Sequence, residues 1–187
     1  MEKQFERFKA WLAENYKDGL DDLCDPASDA EIKQLEDCLG FPLPADLVSL
    51  LKIHNGQKLE TGGLFEGQEF LSSHRIIDEW TVWKELLDGD ELEDTTSEPE
   101  DGIKDDWWNP KWIPFTYNGY GDHYCIDMDP AVGGDEGQII TLWHDGPERE
   151  KLAKSLGEWF ATYVSELASG EYIYSEDYDT IMHRDDI

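Results

Sequence analysis

His123, Cys125 and Asp127 place a base, a thiol and a carboxylate along one short stretch of chain, the residue types from which a nucleophile and its activating base are built. Their spacing works against that chemistry. Residues two apart on a strand share a face yet stand about 7 Å apart, too far for direct proton transfer. The expectation is instead a sheet face on which His123 and Asp127 make structural hydrogen bonds, with Asp127 and Asp129 shaping the turn at Pro130. Asp127-x-Asp129 also opens like a calcium loop, with Asp135 and Glu136 downstream, but Ala131 stands where an EF-hand needs its third oxygen ligand. Gly119-x-Gly121 precedes a strand instead of joining a strand to a helix, so it is no nucleotide fingerprint, and the chain holds no phosphate loop. His54, His74, His144 and His183 fall into no metal-binding spacing. No catalytic residue, cofactor or metal is therefore expected. Cys24, Cys38 and Cys125 are odd in number and lack a C-x-x-C pair, which points to buried free thiols.

The elements around these residues follow from periodicity and punctuation. Phe5, Phe8, Leu12 and Tyr16 recur at helical spacing and predict an amphipathic first helix that stops near Gly19. Ser28 and Glu31 form a capping box that opens a second helix, with Ile32, Leu35 and Leu39 as its apolar face and Gly40 as its stop. Pro44 starts a third, with Leu47, Leu50, Leu51 and His54 on one side and Asn55-Gly56 at its end, so that the two make a helical hairpin. Leu64-Phe65 and Phe70-Leu71 read as two short strands. Ser72 or Ser73 caps a helix carrying Ile76, Trp80, Trp83 and Leu87 on one face. Three strands are expected at Trp112–Phe115, around His123–Met128, and at Gly137–His144, with Tyr124, Ile126 and Met128 opposite His123, Cys125 and Asp127. Ser155 and Glu158 form another capping box, opening a helix that buries Leu156, Trp159, Phe160, Tyr163, Val164 and Leu167, ends at Gly170 and lies across the sheet. Helices, then strands, then a closing helix predict an α+β fold with a mainly antiparallel sheet, in one domain over residues 1–187 with its core at about 25–168. The tail, 171–187, mixes Tyr with acids and either wraps the surface or stays loose.

Charge narrows the partners. Asp and Glu number 44 against 15 Lys and Arg, a net charge of −29, which repels nucleic acid and anionic membrane. Such a surface either serves solubility or faces a basic protein partner. Eight Trp, eight Tyr and seven Phe are too many aromatics for a disordered chain. Between 88 and 106 the composition turns to Asp, Glu, Thr and Ser, which reads as a mobile acidic loop. Binding is expected where acids meet large apolar anchors. That condition selects Asp88, Asp90, Glu91, Glu93, Asp94, Glu98, Glu100, Asp101, Asp105 and Asp106 with Trp107 or Trp108, unless both Trp pack as a lid over the sheet edge.

Two ordered signatures carry a resemblance. Glu31-Ile32, Leu35-Glu36, Leu39-Gly40, Leu43-Pro44 and Asn55-Gly56 come first, and Gly121-Asp122-His123-Tyr124-Cys125-Ile126-Asp127-Met128-Asp129-Pro130 follows. The pairing, over roughly 25–168, resembles the SUKH superfamily, in its branch related to the fungal Smi/Knr cell-wall assembly regulators. The resemblance implies a non-enzymatic binding protein: bacterial members look like immunity proteins that neutralise toxin domains, and fungal members act as regulatory scaffolds. The expected function is immunity by stoichiometric binding of a basic, nuclease-like toxin domain, since the chain is nearly all domain; a regulatory scaffold is the alternative. Without an apolar leader at Met1–Arg7 or a membrane-length apolar run, a cytoplasmic location is expected.

Overall fold

The computed structural model describes residues 1–186. Helix α1 (Glu2–Asn15) buries Phe5, Phe8 and Leu12, and Tyr16 turns the chain into the short α2 (Lys17–Asp21), which contains Gly19 where a stop was expected. Helix α3 (Asp29–Leu39) begins with the expected box: Ser28 Oγ accepts from Glu31 N at 3.2 Å, and Glu31 Oε2 accepts from Ser28 N at 2.7 Å. Both donors would otherwise be orphaned at the helix start. Ser28→Ala is expected to cost about 1 kcal/mol in urea denaturation, while Ser49→Ala, on the exposed face of a helix, stays within about 0.5 kcal/mol.

Helix α4 (Ala45–Ile53) buries Leu47, Leu50 and Leu51. It packs on α1 and on α6 (Leu156–Ser169), and α3 packs on α5 (Ser73–Asp88), while the end of α4 returns to the start of α3: Lys52 Nζ pairs with Asp29 Oδ1 at 2.5 Å and Ala27 N donates to Leu51 O at 2.9 Å. Asn55, just after α4, fixes this junction: its Oδ1 accepts from Ser73 N at 2.8 Å and its Nδ2 donates to Glu31 Oε1 at 3.2 Å, tying the end of α4 to the starts of α5 and α3.

The central sheet is antiparallel, in the order β3 (Trp112–Pro114), β5 (His123–Asp127), β6 (Gln138–Leu142), β8 (Lys151–Ala153). Helix α6 covers one face of it, where Trp159 meets the Tyr124 ring edge-on at 6.0 Å; α5 covers the other, where Glu79 faces His123. Because both faces are covered, Cys125, Ile126, Ile139 and Ile140 are all buried. Smaller pairs surround it: β1 (Glu69–Phe70) with β4 (Thr116–Tyr117), and β9 (Tyr172–Ser175) with β10 (Thr180–His183), both antiparallel.

Two further expectations change, and the tail takes a definite form. Leu64-Phe65 is no strand: Phe65 and Gln68 exchange backbone hydrogen bonds across Glu66 (φ 53°) and Gly67 (φ 79°), a tight turn with both central residues left-handed. The acidic segment is no mobile loop. Its β2 (Glu98–Pro99) runs parallel to β7 (Glu148–Arg149), Ile103 is buried in the core, and Gly102 O accepts from Gln138 Nε2 at 2.9 Å. Scattered apolar residues and backbone pairing suffice to hold it, although its composition is that of a loop. The tail forms the β9–β10 hairpin, fixed by a buried Ile181 and by Tyr174 stacked 3.9 Å from Tyr16. Its last residue, Ile187, lies outside the described residues.

Candidate functional site

The acidic residues selected from the sequence do lie at the surface. Asp88, Asp90, Glu91, Glu93, Asp94, Glu98, Glu100, Asp101 and Asp105 are exposed, and Asp106 is half-buried, accepting from Asn109 Nδ2 at 2.8 Å. The two tryptophans part company. A bend at 107–108 sends Trp108 into the core, 3% exposed, edge-on to Trp80 at 5.8 Å and parallel to Trp83 at 6.5 Å. Trp108 is thus a packing residue and is removed from the binding set. Trp107 stays half-buried, with the Arg149 guanidinium 5.0 Å over its ring and its carbonyl accepting from Arg149 Nη2 at 2.8 Å.

Trp107 and Leu92 form one wall of an open groove of about 410 Å³. Helix α5 supplies a second wall through Glu79, Val82, Trp83 and Leu86, a helical stripe beside the one that faces the core. Val82 is 53% exposed there. The β4–β5 hairpin closes the groove with Tyr117, Gly121 and His123, joined by His144 from just after β6. Gly121 holds φ +110°, and a Cβ on it would stand 3.0 Å from the His144 ring.

His123 lies buried at the floor. Its Nδ1 is 2.8 Å from Thr116 O, and since a carbonyl only accepts, Nδ1 carries the ring proton and Nε2 presents a bare lone pair. That Nε2 has no hydrogen-bond partner among the described residues and faces Glu79 Oε2 at 3.8 Å. Burial pushes the imidazole pKa down to about 4, so the ring is neutral. Glu79 Oε1 accepts from Arg75 Nη2 at 2.6 Å, and the same guanidinium also reaches Glu69 at 3.2 Å and Asp78 at 3.8 Å. Three carboxylates share one cation. Burial raises the Glu79 carboxyl above its usual range. Beyond it, Asp88, Asp90 and Glu91 crowd the C-terminal end of α5, where the helix dipole is already negative and Lys84 pairs with Asp88.

The other candidates have structural partners. Asp127 is fully buried: Oδ1 accepts from Trp112 Nε1 at 3.1 Å and from Asp129 N at 2.9 Å, and Oδ2 accepts from Gln138 Nε2 at 2.9 Å. Burial pushes the Cys125 thiol far up, so it supplies no thiolate. Asp129 pairs with Lys104 and Asp135 with Lys151, which neutralises two of the calcium-like carboxylates. Among the described residues Asp122, His144 and Asp145 come close enough to share an ion, a grouping that linear spacing does not reveal. Asp122 Oδ1 accepts from both N and Nδ1 of His144 at 2.8 Å, which accounts for the geometry and raises the His144 pKa.

Sequence reasoning found the Trp107 wall and the exposed acids near it, and singled out His123 only as a structural hydrogen-bonding residue; it missed Glu79, Val82, Leu86 and Tyr117. The one available signal was on α5, where Glu79, Val82, Trp83 and Leu86 repeat at i, i+3, i+4 and i+7 beside the core stripe.

Residues 26–162 match the family model described as SMI1 / KNR4 family (SUKH-1). The chain is 26% identical over 219 residues to the "Glucan synthesis regulatory protein" of Neurospora crassa, an alignment covering 97% of this chain and 41% of that protein. It is 25% identical over 189 residues to "Cell wall biosynthesis/cell cycle regulator smi1" of Schizosaccharomyces pombe, covering 94% and 38%. It is also 24% identical over 211 residues to "Cell wall assembly regulator SMI1" of Saccharomyces cerevisiae, covering 94% and 42%. The chain spans about two-fifths of the length of these curated relatives.

Proposed function

Because the chain belongs to the SMI1 / KNR4 family (SUKH-1), we propose that it is a non-catalytic, protein-binding regulatory domain akin to those of the fungal cell-wall regulators. The observation that carries this reading is the match along 94–97% of the chain to proteins named as regulators of glucan synthesis and wall assembly. Those names favour regulation over the toxin-immunity reading expected from the sequence. They are also not enzyme names, in keeping with a domain that acts by binding. The partner is a basic protein: a surface of net charge −29, with an apolar groove whose wall residue Leu92 sits between the exposed Glu91 and Glu93, attracts cations and offers an anchor in one place. We place this action in the cytoplasm; no helix among the described residues is long and apolar enough to cross a membrane.

The test is capture of partners from source cells by the tagged protein at low salt, elution with a salt gradient, and identification of what leaves the column. Proteins of wall-building or signalling machinery support the regulatory reading. A toxin domain whose toxicity the chain abolishes would restore the immunity reading. For a purified partner, raising NaCl from about 50 to about 500 mM is expected to weaken binding at least roughly tenfold, chiefly through slower association. Salt-insensitive binding would count against a basic partner.

A further inference from the structure

Resting on the protein-binding reading, we propose that the groove between α5 and the β4–β5 hairpin seats an arginine side chain of the partner, its guanidinium donating to His123 Nε2 and Glu79 Oε2. Two observations converge on this occupant. The floor of the groove presents two acceptors to one another: the bare His123 Nε2, buried and without a partner among the described residues, and Glu79 Oε2 3.8 Å away. Acceptors so placed are satisfied by a group that only donates. Charge supplies the second observation. Glu69, Asp78 and Glu79 share the single guanidinium of Arg75, so the floor carries excess negative charge before the acidic rim is counted.

The walls select among cations. An ammonium is a compact, strongly hydrated charge that loses much on leaving water, whereas a guanidinium is weakly hydrated, planar and able to stack on aromatic faces while forking two N–H groups toward separate acceptors. Trp83, Trp107 and Tyr117 line the groove with aromatic rings, two of which, Trp107 and Tyr117, already lie beside the guanidinium groups of Arg149 and Arg75, and Val82 and Leu86 line the path that an apolar stem would follow. His123, kept neutral by its burial, remains an acceptor at physiological pH and does not repel the incoming charge.

The test is an NMR titration of the isotope-labelled full chain with N-acetyl-arginine methylamide, alongside the lysine and the uncharged citrulline derivatives, reading the His123 ring and Trp107 indole signals. The arginine derivative is expected to shift both signals saturably, and the other two to bind at least about tenfold more weakly. Glu79→Gln is expected to weaken the arginine response about tenfold, since its amide removes the charge and itself donates toward His123 Nε2. Val82→Lys, at an exposed position where the fold tolerates it, is expected to block entry with a comparable loss. Shifts confined to the exposed acids of 88–101, an equal response to citrulline, or unchanged binding in both variants would overturn the proposal. If the captured partner binds while arginine is rejected, this inference alone fails; if arginine enters but no partner is found, the protein-binding reading alone fails.

Discussion

Replacing Trp108 with alanine is expected to cost about 3–5 kcal/mol of folding stability, while the same change at Trp107 costs about 1 kcal/mol. The two neighbours share a side chain and differ only in what surrounds it. Trp108 fills the space between Trp80 and Trp83, and its removal leaves a cavity that two rigid rings of α5 cannot close. Trp107 gives up chiefly its ring contact with the Arg149 guanidinium, because the hydrogen bond from Arg149 is made to the Trp107 carbonyl and survives truncation. Trp108→Phe is expected to recover most of the loss, since it keeps an aromatic ring and deletes an indole N–H that has no acceptor among the described residues. Urea denaturation of the three variants separates these cases. Equal costs at 107 and 108 would mean that both rings are core residues and that the groove has lost its wall.

The second large effect is a pH dependence. The unfolded His123 ring takes up a proton near its ordinary value of 6.5, and the folded ring only near 4, because burial disfavours the charged form. Between those values the unfolded state binds more protons, so the His123 contribution to stability is complete above pH 6.5 and lost as pH falls toward 4. At about 1.4 kcal/mol per pH unit the loss is roughly 3 kcal/mol. Glu66, Glu79 and Asp127 act in the opposite sense: burial raises their carboxyls, and the folded state protonates first as pH falls. The comparison is therefore between wild type and His123→Gln, whose amide can still donate to Thr116 O. From pH 7 to pH 4 the wild type is expected to lose about 3 kcal/mol relative to the variant. A difference that stays constant over this range would mean that the imidazole is not held neutral by burial.

What could be read from the sequence was local. The Ser28–Glu31 box, the left-handed stop at Gly40 and the Ser155 cap depend on residues within one turn, and they appear where expected. Even there a detail escapes: Glu158 Oε2 accepts from Lys154 N at 3.1 Å instead of from the Ser155 backbone. Alternation along β5 placed His123, Cys125 and Asp127 on one face, because strand geometry enforces it. What stayed hidden depends on distant partners. The turn at Glu66-Gly67 lacks the usual Asn-Gly signal, and Glu66 is instead held by Tyr124 OH, 2.9 Å away and 58 residues later. The order of the 88–106 segment depends on pairing with β7, and the opposite fates of Trp107 and Trp108 depend on the rings that α5 places beside them. The groove itself is assembled from four parts of the chain, 79–92, 107, 117–123 and 144, and the His123 nitrogen without a partner among the described residues is visible only once α5 lies across the sheet.

We propose that a basic partner protein docks at this groove. The most direct measurement is site-specific photo-crosslinking in source cells from a benzoylphenylalanine at position 82, in the groove, compared with one at position 132. Val132 is fully exposed in the turn joining β5 to β6, at the opposite end of that hairpin from His123. Position 82 is expected to crosslink to a partner at a basic, arginine-bearing segment, with position 132 giving no such product. Crosslinks that form equally from 132, or none from 82 with a partner that is captured by the wild-type chain, would show that binding takes place elsewhere on the surface.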